Sequence, residues 1–572
     1  MIGWPLGAEQ GYNAKMLAEE MGVSVVLARW ADTKITKEEV SRVIKIVLDK
    51  SEGGKGDVMR KKASELPISQ STMEEATQSK HIIMFPYMAQ GHLTRFLELA
   101  YRIVHHDPSF TVTIVNTPHN INNLRSAIAN RPSSPSQIHL KSFPFNGSDY
   151  GLPPNSENTD GLSPSQLPLL MQACASFEAP FRQFISEVVS SEGSPLVCII
   201  TDGVMRWASD VAKSFGVFSY LFIAGAYGTT AAFSVFRNLP HLNMADGGTY
   251  DEFAVPGFPE SCRFTYKDLT PRVRALDGKD EMSKLLKRGG SSSPEYNGVL
   301  CNTVEEIETF GLEVLRSYFK LPVWCVGPLI PLKLLIKNPG SNTSSGITSQ
   351  RSGKKLGVEP KYCIEWLDTH PTRSVLYISF GSENAISETQ MIELAKGLED
   401  SKKPFIWVIR PPNGFDPKGD FQPEWLPSGF VDRVKKQGLV VYGWAPQLEI
   451  LCHQSTGAFL SHCGWNSVLE SLSQGVPLIG WPLGGEQGYN AKMLMEEMGV
   501  CVVLARWADS RITKKEVSTV IKMVLDNSKG GRGDVMRKKA SEVGELMRAG
   551  VEINKGSSYN ALNNFLTRCF SI

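Results

Sequence analysis

The 572-residue chain carries almost no excess charge: 60 Lys and Arg stand against 59 Asp and Glu, a formal net charge of +1. It therefore lacks the electrostatic footprint of a nucleic-acid or anionic-membrane binder, and local clusters such as Arg60-Lys61-Lys62 read as solvated helix faces. No apolar run approaches the roughly 20 residues of a membrane span, and the opening MIGWPLGAEQ lacks the basic start and apolar core of a secretory signal. The ten cysteines are scattered, with no Cys-x-x-Cys and no zinc-like spacing. They read as reduced thiols of a cytoplasmic protein, in which the sequons at Asn146 and Asn342 stay unmodified. The absence of Gly-x-Ser-x-Gly argues against a serine hydrolase. What is plentiful is apolar material, 42% of residues, enough for the cores of two or three domains.

Residues 1–66 repeat residues 478–543 without a gap, about four in five positions being identical. Two copies do not make a solenoid, which needs at least three stacked units. The pattern reads as the tail of one gene joined to the head of a near-identical neighbour, with the join inside the polar segment Pro67–Lys80 that contains Met73. Residues 1–72 are thus expected to be a partial duplicate plus junction, a fusion remnant; a functional tandem is the alternative.

From residue 73 the chain alternates short apolar strands with helical patterns. Strands are expected at His81–Phe85, Phe110–Val115, Ile138–Phe143, Leu196–Thr201, Val217–Phe222, Gly298–Cys301 and Pro322–Val326, with a helix over Leu167–Val189 and a long loop over Asn146–Gln166. This is a doubly wound α/β pattern, placed in a first domain of residues 73–328. Residues 329–360, rich in Ser, Gly, Asn and Lys, read as an interdomain linker. A second domain, 361–572, follows with strands Val375–Phe380, Pro404–Ile409 and Leu439–Tyr442 and closing helices near Lys514–Leu525, Gly533–Ala549 and Ser557–Leu566.

The most informative stretch runs from Trp444 to Gln487. An apolar strand (Ala458, Phe459, Leu460) turns through Ser461-His462-Cys463-Gly464 into a helix from Trp465 that stops at Gly475-Val476-Pro477. A helix start carries free N–H groups and the positive end of the macrodipole, a place for an anion such as a diphosphate. His462, Asn466 and Ser467 are polar donors at that point. Ordinary α/β packing would explain a strand-Gly-helix turn as well, but the flanks add more. Trp444 offers a flat face to a base, Glu470 an acceptor to ribose hydroxyls, and Glu486 and Gln487 an acceptor and an amide to a sugar. Ser382, in Phe380-Gly381-Ser382, follows another strand at a glycine turn and is either a further phosphate contact or a simple turn residue.

This stretch closely resembles the signature box of the plant family-1 UDP-glycosyltransferases, from its opening Trp to its closing Gln, and the order of motifs is similar across about residues 78–570. The resemblance implies the GT-B fold, two Rossmann-like domains facing a cleft. It implies that Trp444, Ala445 and Gln447 form the uracil platform and Glu470 meets the ribose. His462, Gly464, Asn466, Ser467 and Ser382 would meet the diphosphate, and Trp465, Glu486 and Gln487 the hexose. A terminal Gln is the type associated with glucose donors. His92, in Gln90-Gly91-His92, would be the base, and Asp202 its partner. Read without the resemblance, His92 is a loop residue and Asp202 a cap for the helix starting near Val204. The chain has no Asp-x-Asp, the metal-chelating signature of the other common glycosyltransferase fold, so a metal-independent reaction without cofactor is expected, UDP-glucose entering as co-substrate. The expected partners are this donor and a small lipophilic acceptor, phenolic or terpenoid; the expected state is a monomer in plant secondary metabolism. Two alternatives stay open: use of another UDP-sugar, and a catalytically silent nucleotide-sugar binder. One departure stands out. Where the family carries proline three residues past the His, in what reads as the first turn of a helix, this chain has Arg95.

Overall fold

The computed structural model describes residues 80–131, 135–163, 165–191, 195–238, 252–260, 262–274, 283–284, 296–336, 356–417 and 419–569, together with 2–3, 25–26, 37–49, 51, 54–55, 57–58 and 61. The chain divides into two compact units, Met1–Gln78 and Ser79–Ile572.

In the first unit, Ile2–Gly3 pairs in parallel with Val25–Val26, and a helix spans Lys37–Leu48. The same register recurs in the second unit, where Ile479 pairs with Val502 and Gly480 with Val503, ahead of the helix Lys514–Val524. The repeat in sequence is thus a repeat in local structure. Glu9 and Gln10, the counterparts of Glu486 and Gln487, lie outside the described residues, as do Met73 and most of the junction.

The second unit holds two parallel sheets. The first contains β1 (Lys80–Phe85), β2 (Phe110–Asn116), β3 (Ile138–Ser142), β4 (Leu196–Asp202), β5 (Phe218–Ile223), β6 (Gly298–Cys301) and β7 (Val323–Cys325), in the order β7-β6-β5-β4-β1-β2-β3. The second contains β8 (Val375–Ser379), β9 (Phe405–Ile409), β10 (Gly438–Tyr442), β11 (Thr456–Ser461), β12 (Leu478–Gly480) and β13 (Cys501–Val503), in the order β10-β9-β8-β11-β12-β13. Each sheet reverses its winding direction once, between β1 and β4 in the first and between β8 and β11 in the second. Crevices at the carboxyl ends of such strand pairs are where doubly wound folds bind ligands.

The strands follow the apolar runs because a sheet covered on both faces needs apolar side chains throughout: β8, β9 and β11 are buried at every position. Four differences from the sequence reading have physical causes. The helix after β1 begins at Gln90, so His92 lies in its first turn and Arg95 in its second. Ala89 is extended and its carbonyl accepts the N–H groups of both His92 and Leu93, which starts the helix ahead of the apolar pattern. It ends at His106 because Asp107 precedes Pro108 and is held extended. The helix expected over Leu167–Val189 is two, Leu167–Ala173 and Glu178–Ser190, joined by a tighter turn at Cys174–Phe177. Pro180 has no N–H to bond the carbonyl of Ser176, so the α-helical ladder is interrupted there.

The stretch read as a linker begins as packed structure: Leu329, Ile330, Leu334 and Leu335 are buried, the last three against Leu448, Cys452 and Val551, and Leu332–Ile336 is helical. Residues 337–355 lie outside the described set. Finally, the closing helix Ser557–Arg568 belongs to the core of the first sheet, where Leu562, Phe565 and Leu566 pack with Tyr220 and Trp324. Its apolar stripe covers the β7 side, which would otherwise face water.

Candidate active site

At the first switch point, β1 and β4 run side by side with Phe85 opposite Thr201, so the loop leaving β1 meets Asp202 at the end of β4. Asp202 makes no capping bond to the turn that follows it. Its Oδ1 instead receives His92 Nδ1 at 2.9 Å, and its Oδ2 accepts the backbone N–H of Tyr87 at 2.5 Å. With Nδ1 held by the carboxylate, Nε2 is the imidazole nitrogen left for a ligand. Burial in the cleft works against the imidazolium. The charge and hydrogen bond of Asp202, with Glu383 and Glu486 nearby, outweigh it and raise the His92 pKa to about 9.

At the second switch point, β8 and β11 pair with Ser379 opposite Ser461, so Gly381 and His462 leave the sheet next to each other. Gly381 has φ +77°, and a Cβ there would lie 2.8 Å from the His462 ring; a Cβ on Gly464 would come within 2.4 Å of it. The ring is therefore slotted between two glycines. Burial lowers its pKa to about 4, against a smaller opposing effect of Glu470, so this imidazole is neutral. Its Nδ1 is buried, with no hydrogen-bond partner among the described residues. Cys463, with φ +62°, carries the strained turn into Gly464, the extended cap of the helix Trp465–Ser473.

Along that helix the polar side chains are already tied. Asn466 donates Nδ2–H to the carbonyl of Gly91 at 3.0 Å and accepts Arg95 Nε–H at 2.7 Å. Glu470 accepts from Arg95 at 2.5 Å through one oxygen and from Gln447 Nε2 at 2.8 Å through the other. Gln447 also contacts Ser467 Oγ at 3.3 Å and accepts Tyr377 O–H at 3.3 Å. Trp465 is buried, its indole N–H donates to the carbonyl of Asn302 at 2.9 Å, and a Cβ on Gly225 would come within 2.9 Å of its ring. Gln487 uses its amide oxygen to accept the N–H groups of Leu483 and Gly484, which leaves its NH₂ for a ligand. Beside it, Glu486 is pushed above the usual carboxylate range by burial.

His92 and all twelve of the residues read from sequence as UDP-sugar contacts — Ser382, Trp444, Ala445, Gln447, His462, Gly464, Trp465, Asn466, Ser467, Glu470, Glu486 and Gln487 — line one cavity of about 280 Å³. Asp202 stands behind His92. Other polar residues of the lining escaped sequence reading, Glu383 and Arg410 among them. Glu383, directly after Ser382, accepts Thr159 Oγ1–H at 3.1 Å from the other domain, and Arg410 donates to the carbonyl of Gly381 at 3.0 Å. The only sequence signal for either is position, Glu383 next to the glycine turn and Arg410 just past the end of β9. Among the described residues no three His, Cys, Asp or Glu side chains gather as a metal site, and no helix is long and apolar enough to cross a membrane. All ten cysteines are free thiols.

Known proteins resemble this chain in sequence and fold. Residues 349–540 match the family model described as UDP-glucoronosyl and UDP-glucosyl transferase, and residues 78–245 match a glycosyltransferase N-terminal domain. The chain is 39% identical to UDP-glycosyltransferase 92A1 of Arabidopsis thaliana over 86% of its own length and 98% of that protein's. It is 39% identical to crocetin glucosyltransferase 3 of Crocus sativus, over 79% and 92%. Among solved structures it resembles Glycyrrhiza uralensis UGT73P12 in complex with glycyrrhetinic acid 3-O-monoglucuronide, with TM-score 0.71 and 27% identity over 86% of this chain and 95% of that one. It also resembles an indoxyl-glucosylating UDP-glucosyltransferase of Polygonum tinctorium, with TM-score 0.67 and 30% identity over 87% and 100%. With two Rossmann-like sheets meeting at such a cleft, and relatives matched over nearly their whole length, the chain belongs to the plant family-1 UDP-glycosyltransferases and has their GT-B fold.

Proposed function

We propose that this enzyme transfers glucose from UDP-glucose to a hydroxyl or carboxyl group of a small lipophilic plant metabolite, with inversion, giving a β-glucoside. The observation that carries the reading is the meeting of the His92–Asp202 pair with the His462, Asn466 and Gln487 cluster in one cavity. In this reading His92 Nε2 takes the acceptor proton as the acceptor oxygen attacks the anomeric carbon. Asp202 holds the imidazole and offsets the charge it gains. The C–O bond to the diphosphate breaks on the opposite side. Neutral His462, Asn466, Ser467 and the N-terminus of the helix at Trp465 meet the charge that develops on the leaving group. Trp444 stacks on the uracil, Glu470 accepts from the ribose, and the Gln487 amide donates to the hexose. No metal or cofactor takes part.

With its pKa raised to about 9 by the surrounding carboxylates, His92 has to lose a proton before it acts as a base. That ties the reaction to alkaline pH more closely than an ordinary histidine would.

The test is incubation with UDP-glucose and a panel of phenolic and terpenoid acceptors, with products read by mass spectrometry and the anomeric configuration by NMR. The expected result is a glucoside with β linkage from at least one acceptor. Products only with another UDP-sugar would change the donor, and UDP-glucose binding without any turnover would make the chain a silent binder.

A further inference from the structure

Arg95 sits where the resemblance leads one to expect proline, and its guanidinium is fully engaged. It is 2% exposed, in the second turn of the helix that also carries His92. Nε–H donates to Asn466 Oδ1 at 2.7 Å, one terminal N–H to Glu470 Oε1 at 2.5 Å, and the other to the carbonyl of Leu329. Asn466 and Glu470 are 371 and 375 residues away along the chain, on the helix read above as the seat of ribose and diphosphate.

We propose that Arg95 is a donor-positioning residue: its planar fork fixes Asn466 and Glu470 together in the orientation in which they receive UDP. The reading rests on Glu470 as the ribose acceptor.

The geometry supports this in three ways. Arg95 and Gln447 each occupy one oxygen of Glu470, and a carboxylate oxygen has a second lone pair, so the carboxylate is aimed yet still able to accept ribose hydroxyls. Glu470 is buried, and an unpaired buried carboxylate would be poorly solvated and would take up a proton or turn away. UDP also brings negative charge into a cavity already lined by Glu383, Glu470 and Glu486, so a cation bound to Glu470 lowers the repulsion the diphosphate meets. A lysine offers one compact charge and cannot bridge both partners as the guanidinium does.

The alternative is a plain interdomain strut, whose loss would lower stability and turnover without singling out the nucleotide. The experiment measures UDP affinity by calorimetry, with KM for UDP-glucose and kcat, on the full chain and on Arg95→Ala, Arg95→Lys, Glu470→Gln and the Arg95→Ala/Glu470→Gln double variant. Loss of a charge-assisted pair corresponds to about 10- to 100-fold in affinity. Arg95→Ala is expected to raise the UDP Kd and the UDP-glucose KM by that range, with kcat at saturating donor kept within about threefold. Arg95→Lys should recover part of the loss, and Glu470→Gln should add little to Arg95→Ala, because the two act as one unit.

If Glu470→Gln weakens UDP but Arg95→Ala does not, the proposal is overturned and the ribose reading stands. If Glu470→Gln leaves UDP affinity unchanged, the ribose reading fails and the proposal with it. Should Arg95→Ala not fold, the lysine variant decides: full wild-type affinity for UDP contradicts the need for the fork, and a several-fold loss supports it.

Discussion

Two histidines occupy corresponding places in the two halves of this enzyme. Each comes shortly after a strand that borders a switch point, His92 after β1 and His462 after β11, and both line the same cavity. Their charge states are opposite. His92 is surrounded by carboxylates, with Asp202 bonded to its Nδ1, and its pKa rises to about 9. His462 is wedged between Gly381 and Gly464, and its nearest acidic influence, Glu470, is already paired with Arg95, so burial wins and its pKa falls to about 4. The fold supplies the same kind of location twice, and the neighbours decide whether it holds a proton carrier or a neutral donor. The stability linkage follows the same split. His92 stabilises the fold fully below its ordinary pKa of about 6.5, and that contribution is lost as pH rises through about 9. His462 costs stability as pH falls from about 6.5 towards 4, because the unfolded chain takes up a proton that the fold refuses.

Removing one side of the comparison should have the largest effect. His92→Ala is expected to lower glucoside formation by about 10²- to 10⁴-fold, while UDP binding by calorimetry stays near wild type, since the proposed nucleotide contacts lie on the other sheet. A variant with near wild-type turnover would remove His92 from the mechanism. On the other side, Gly381→Ala forces a Cβ into the His462 ring at a φ of +77°. The strained backbone alone costs about 1–2 kcal/mol, to be seen as a lowered Tm. Displacement of His462 should also weaken UDP about tenfold, comparable to one lost hydrogen bond. An unchanged UDP affinity would mean that the neutral histidine does not touch the diphosphate.

A smaller change is expected at Gln487, whose NH₂ is read as meeting only the hexose. Gln487→Ala should raise KM for UDP-glucose by about 2- to 10-fold and leave the UDP Kd alone; equal losses for both ligands would move Gln487 elsewhere in the site. The smallest effect concerns the extra copy of the donor-domain segment. Deletion of residues 1–72 should leave kcat and KM within about twofold, because the second unit contains both sheets and the whole cavity. An insoluble or inactive truncation would make the repeat a working part of the enzyme.

Much of this site was legible in the sequence because its motifs are local. The turn from β11 into the helix at Trp465, the glycine turn before Ser382 and the order of strands all lie in short windows where period and punctuation speak directly. What sequence could not supply depends on long-range meetings. That Arg95 grips Glu470 joins residues 375 positions apart, and neither the partner nor the burial of the pair is visible in a window around Arg95. The start of the helix at Gln90 escaped because Ala89 caps it through backbone geometry rather than through a Ser, Thr, Asp or Asn side chain. The return of the closing helix to the first sheet escaped because an apolar stripe says that a face is covered, not what covers it.

The most direct test is an NMR titration of the two imidazoles in the unliganded protein. The His92 and His462 signals would be assigned by their loss in His92→Gln and His462→Gln, with Asp202→Asn as a further variant. His92 is expected to titrate near pH 9, His462 to remain neutral down to about pH 4, and the His92 midpoint to fall when Asp202 loses its charge. Two histidines that both titrate near the ordinary value of about 6.5, with His92 indifferent to Asp202→Asn, would contradict this.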